Sequence, residues 1–166
     1  MVKSKRLIRV QILISWTAVL LWMGLIFKLS SQVAQQSAEL SSRITQIVMK
    51  LARKIMPISD SDISKFDHIV RKNAHFFIYL VLGLLVMNAL RRSKIFGIKM
   101  VVFTLLICAL YASSDEMHQL LVSGRSGQVK DVFIDSAGAI TGICLYGGVI
   151  NLRGKKKKEK SSLDVS

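Results

Sequence analysis

Eleven side chains with the right chemistry for a shared site are gathered in three short stretches. These are Arg71, Lys72, His75 and Tyr79; Asp115, Glu116, His118, Gln119 and Arg125; and Asp131 and Asp135. Carboxylates held in unlike environments can divide the roles of acid and base, and an imidazole from His75 or His118 can join them. Arg125, Arg71 and Lys72 could hold a phosphate or carboxylate. Gly124 and Gly127 flank Arg125 and would let backbone N–H groups converge on an anion, although glycine and serine also make an ordinary connection. A divalent metal on Asp115, Glu116, Asp131 or Asp135 with a histidine is possible, since hard oxygen ligands suit Mg²⁺ or Mn²⁺, but it is not expected, and neither is any other cofactor. HExxH, P-loop and GxSxG motifs are missing from the sequence; Gly124-Arg-Ser-Gly-Gln misses the last by one position.

The elements that must position these groups are membrane helices. Apolar residues make up 51% of the 166 and come in long blocks: 10–27, 74–90, 100–120 and 132–150. Each is near the roughly 17–25 residues that cross a bilayer. Taken without its polar end the third stops near Ser114, but it can run on through Gln119 and Leu120 if those groups face protein or headgroups. The expected fold is all-α, a polytopic membrane domain over 1–150 followed by a basic tail at 151–166.

Helical spacing decides which groups share a face. Asp131, Asp135, Gly138 and Gly142 fall on one narrow stripe of the last crossing. The inner half of that stripe, Gly138-Ala-Ile-Thr-Gly142, is a GxxxG pattern that allows a close helix approach, so the two aspartates should face inward with it. In the third crossing Cys108, Ala112, Asp115 and Gln119 share a face, with His118 close beside it and Glu116 about 100° around. In the second, Arg71, His75 and Tyr79 climb in steps of four beside Lys72.

Charge orients the bundle. Of the 24 Lys and Arg residues, 14 lie in segments 1–9, 91–99 and 151–166, against only Glu159 and Asp164. An excess of cations in short loops marks the cytoplasmic side, so both termini are expected inside and the polar groups at the outer end. The net charge of +14 is then mostly a topology signal. The RGKKKKEK tail lacks the interleaved aromatics of a nucleic-acid surface, so no nucleic acid is expected and the tail reads as a disordered anchor on anionic lipid. The first apolar run is longer than a signal-peptide core and reads as a retained helix. Cys108 and Cys144 lie inside crossings as small buried thiols.

Between the first two crossings, Leu40, Ile44, Ile47, Val48, Leu51 and Ile55 recur at helical steps, giving an outer amphipathic helix over 36–56, either a lid or simple packing. Pro57 ends it, and a second short helix carrying Ile63, Phe66, Ile69 and Val70 should feed the second crossing.

RKNAHFFIY at 71–79, DEMHQLLVSGR at 115–125, DVFIDSAGAITG at 131–142 and FKLSSQ at 27–32 together resemble the VanZ-like family, named for a teicoplanin-resistance membrane protein. The resemblance spans most of 10–150. It implies functional positions at Lys72, His75, Tyr79, Asp115, Glu116, Gln119, Arg125, Asp131, Asp135 and Gly138; Arg71 and His118 are added by spacing. Ile78 departs from the pattern, since relatives carry an acid before the tyrosine. The implied setting is the bacterial cell membrane and envelope. The expected role is binding or modifying an anionic lipid-linked wall precursor, or a lipoglycopeptide, at the outer leaflet, with lowered susceptibility to glycopeptides such as teicoplanin.

An intramembrane acid–base hydrolase or transferase acting on a lipid-linked glycan phosphate is the alternative. A small transporter ranks last, because the inner halves of the crossings lack a continuous row of ionisable groups. The plain structural alternative is a buried ion-pair network in which the acids only neutralise Arg71, Lys72 and Arg125, with Tyr79 an interface anchor.

Overall fold

The computed structural model describes residues 2–31, 43, 60–122 and 129–163, with side chains described at 5–31, 43, 72–122 and 130–152. Apart from helical Arg43, the amphipathic helix expected over 36–56 lies outside the described residues, as do Arg125 and the side chain of Arg71. Four helices make up the described fold: α1 (Val2–Ser30), α2 (Asp60–Arg92), α3 (Ile98–Gln119) and α4 (Val129–Leu163). Each contains a stretch long and apolar enough to cross a membrane: Lys5–Ser30, Lys72–Arg92, Ile98–Gln119 and Lys130–Leu152. The protein is therefore an all-helical, multi-pass membrane protein, and its outward-facing leucines, such as Leu13, Leu21 and Leu110, are the surface that lipid covers.

Three helix bounds carry physical meaning. The short helix with Ile63, Phe66, Ile69 and Val70 is continuous with the second crossing, because no proline follows Pro57 to break it. Helix α3 runs on to Gln119, so its acidic residues are helical and not part of a loop. Helix α4 continues to Leu163, which corrects the expectation of a disordered basic tail. Lysine and glutamate are good helix formers, and cations suit a helix C-terminus, where the carbonyl dipoles point.

Between α2 and α3 the chain turns on Lys94, at φ 64°. Lys94 N–H donates to the Arg91 carbonyl and Ile95 N–H to the Leu90 carbonyl, both at 3.0 Å, which closes the helix end with the paired bonds of a Schellman cap.

Helices α2 and α4 form the most extensive contact in the bundle. A Cβ at Gly138 would overlap the Phe76 carbonyl, and one at Gly142 the Leu80 carbonyl. From the other helix, a Cβ on Gly83 would stand 2.8 Å from the Ala139 carbonyl oxygen. Three glycines thus let two backbones touch, as the GxxxG spacing predicts. Tyr79, Leu82, Val86 and Met87 from α2 fill the core with Cys108, Ala112, Ala139 and Ile143. Cys144 lies instead on the exposed side of α4.

Helix α1 is held on the outside of this unit by hydrogen bonds at both ends. Trp22 Nε1 donates to the Ile78 carbonyl at 2.9 Å, and the Tyr111 hydroxyl donates to the Met23 carbonyl. At the opposite end Trp16 Nε1 reaches Ser93 Oγ at 3.1 Å and Arg92 reaches Gln11 Oε1 at 2.8 Å.

The seam gives a direct test. Gly142→Ala is expected to lower stability by about 1–3 kcal/mol, the usual cost of forcing extra volume into a closed contact. Gly148→Ala, which meets nothing within 4 Å, should leave it unchanged or slightly raised. Thermal unfolding of the purified variants in detergent measures both.

Candidate functional site

The antiparallel path of the helices brings the start of the α2 span, the end of α3 and the start of α4 to the same end of the bundle. There His75 Nδ1 lies 3.4 Å from Asp135 Oδ1, with the two side chains 19% and 0% exposed. Glu116 completes a group with them: one ligand-capable atom from each of His75, Glu116 and Asp135 lies within 4.8 Å of the others. Beside this group Gln119 Nε2 donates to Asp115 Oδ2 at 3.2 Å, one helical turn apart on α3. Asp115, Glu116 and Gln119 are all buried.

One turn deeper on α2, Tyr79 is fully buried. An interface anchor would keep its ring partly in the headgroups, so the burial of Tyr79 rules that role out. Its hydroxyl has no hydrogen-bond partner among the described residues, and neither do Asp115 Oδ1 or Asp135 Oδ2. Asp131 stands one turn nearer the helix end than Asp135 and is partly exposed, as is Lys72 on α2. Among the described residues no lysine or arginine pairs with Asp115 or Asp135, so an ion-pair network with Lys72 does not account for them.

Helical angles misplace two of the site candidates on α3. Glu116, expected about 100° from the working face, joins His75 and Asp135, whereas His118 leaves it. The His118 ring stacks on Phe27 at 4.6 Å, and its Nε2 lies 3.1 Å from Ser31 Oγ. The cause is the number of neighbours: α3 packs against α1, α2 and α4, so it has no single inward face. Phe27 and Ser31 both belong to the FKLSSQ stretch, which marked this contact in the sequence without saying what it touched.

Chemically, the cluster has two halves. His75 and Asp135 form an imidazole–carboxylate couple in which the acid can orient the ring and stabilise its charged form. Glu116 and Asp115 are additional carboxylates that can move a proton or bind a cation. An ionised carboxylate at such a depth costs several kcal/mol unless something compensates it.

Because His118 serves the α1–α3 contact, His118→Ala should cost about 1 kcal/mol of stability through the lost ring stacking and hydrogen bond. It should leave ligand binding and any turnover intact. Paired melting and activity measurements decide this; a His118→Ala protein that is fully stable but inactive would return His118 to the site.

No curated protein and no solved structure matches the sequence significantly. The model of the VanZ/LLP1 family does match, over residues 15–151, a range that holds every described residue of the cluster as well as the glycine seam beneath it. With most of its length inside that match, the chain belongs to the VanZ/LLP1 family.

Proposed function

We propose that this VanZ-type membrane protein binds and modifies an anionic lipid-linked envelope molecule, or a lipoglycopeptide, at the outer leaflet of a bacterial membrane, and so lowers susceptibility to glycopeptides such as teicoplanin. The count of cations in short loops supports a cytoplasmic position for both termini, which sets the carboxylate end outside. The observation that carries the reading is the couple of His75 with a fully buried Asp135, flanked by two further buried carboxylates on a third helix. A buried imidazole–carboxylate pair with further carboxylates beside it is a costly way to stabilise a fold and a common way to build an acid–base site.

In this reading His75, positioned by Asp135, takes the proton from an attacking water or hydroxyl. Glu116 or Asp115 returns a proton to the departing oxygen. Lys72, one turn nearer the surface, meets the phosphate, with Arg71 and Arg125 assigned to the same task by their place in the sequence. The prenyl or acyl chain of the substrate remains in the bilayer against the apolar outer surface of the helices.

Expression of the wild-type chain in a teicoplanin-susceptible host should raise the inhibitory concentration of the drug, and Asp135→Asn or His75→Ala should return it to the empty-vector level while the amount of protein in the membrane stays constant. With purified protein and a labelled lipid-linked glycan phosphate, Asp135→Asn should lower turnover by about 10²-fold or more. Full protection and full turnover in both variants would remove the couple from the mechanism.

A further inference from the structure

We propose that His75, Glu116 and Asp135 form a binding site for one divalent transition-metal ion, supported by Tyr79 and by the Asp115–Gln119 pair. Three helices contribute one ligand each, and the candidate ligand atoms already lie within 4.8 Å of one another. In a tetrahedral site with bonds of about 2.1 Å, neighbouring ligand atoms are about 3.4 Å apart. The His75–Asp135 separation of 3.4 Å meets that spacing as it stands, and Glu116 can close the remainder by side-chain rotation.

A second observation is independent of the clustering. Asp135 is fully buried, yet His75 Nδ1 approaches only its Oδ1, at 3.4 Å, and Oδ2 has no hydrogen-bond partner among the described residues. The Tyr79 hydroxyl, equally buried, also lacks a partner among the described residues. Buried polar atoms are almost always satisfied, and such exceptions point to something that binds there.

A dication fits the charge as well as the space. Two carboxylates and one dication sum to zero around a neutral imidazole, which removes the cost of holding the acids in a low-dielectric bundle. One nitrogen and two oxygen donors form a set softer than the all-oxygen cages of Ca²⁺ or Mg²⁺, and they suit Zn²⁺ or Mn²⁺. Three protein ligands leave a coordination position open for water or a phosphate oxygen. Gln119 holds Asp115 beside the site, and the Tyr79 hydroxyl can donate to a ligating carboxylate, the outer contacts that orient metal ligands elsewhere.

The proposal rests on the same pocket as the function given above but recasts it: with an ion bound, His75 and Asp135 act as its ligands and not as a free base with its orienting acid, and metal content is read without substrate. A negative result here therefore leaves the acid–base reading standing, and full turnover by Asp135→Asn overturns only that reading.

The test uses the full-length protein in detergent, without an affinity tag, stripped with chelator, incubated with Zn²⁺ or Mn²⁺ and desalted before elemental analysis. Wild type should retain about one ion per chain. His75→Ala and Asp135→Asn should retain less than about a tenth of that, whereas His118→Ala should retain all of it. Co²⁺ loading of wild type gives a readout that needs no variant: ligand-field bands of a four- or five-coordinate nitrogen and oxygen site are expected. A wild-type protein that holds no ion, Co²⁺ showing only its aqueous spectrum, or equal retention in His75→Ala and Asp135→Asn would each overturn the site.

Discussion

The structure depends first on the backbone contact between α2 and α4. Where the carbonyls of Phe76 and Leu80 face Gly138 and Gly142, the separation of the two helices is set by main chain, which cannot repack as side chains do. His75 precedes the upper contact by one residue and Asp135 by three. The reach between imidazole and carboxylate is therefore fixed by a rigid neighbour and not by flexible packing. In a membrane, where lipid tails compete with apolar side chains on equal terms, a small-residue seam is one of the few ways to gain such definition.

The two ends of the bundle are chemically opposite. At one end Asp115, Glu116, Asp131 and Asp135 meet His75; at the other stand Arg91, Arg92, Lys94 and Lys99, with Arg92 bonded to Gln11 of the first helix. Between them lies an apolar core of Leu82, Val86, Met87 and Cys108. This core separates the carboxylates from that cationic end, so they have to find their partners among His75, Lys72 and the other groups of their own end. That requirement is what makes its composition informative about function.

Much of this was legible in the sequence. Block length revealed the four spanning helices, and the stripe from Asp131 to Gly142 revealed which side of the last helix turns inward, because a carboxylate and a close-packing glycine cannot both face lipid. The stripes put His75 and Asp135 at the same end of the bundle, while their pairing came from the structure. The resemblance named Glu116, but helical spacing placed neither it nor His118 correctly, since a helical wheel gives angles on one helix but not the number of helices around it. Surrounded on three sides, α3 uses an arc wide enough to bury Asp115, Glu116 and Gln119 together while His118 turns to α1. The clamps of Trp22 on Ile78 and Tyr111 on Met23 were equally hidden. An aromatic N–H or O–H at that depth signals a bond to be made, but its acceptor is a backbone carbonyl that any residue could supply.

The unbroken length of α2 has a mechanical consequence. Its 33 residues run from Asp60 to Arg92 without a proline, a rod of about 50 Å that the glycine seam with α4 meets near its middle. A stiff rod pinned near its middle by α4 behaves as a lever. A displacement of one arm would be carried past the pinned zone to the other, where Arg92 donates to Gln11 of the first helix.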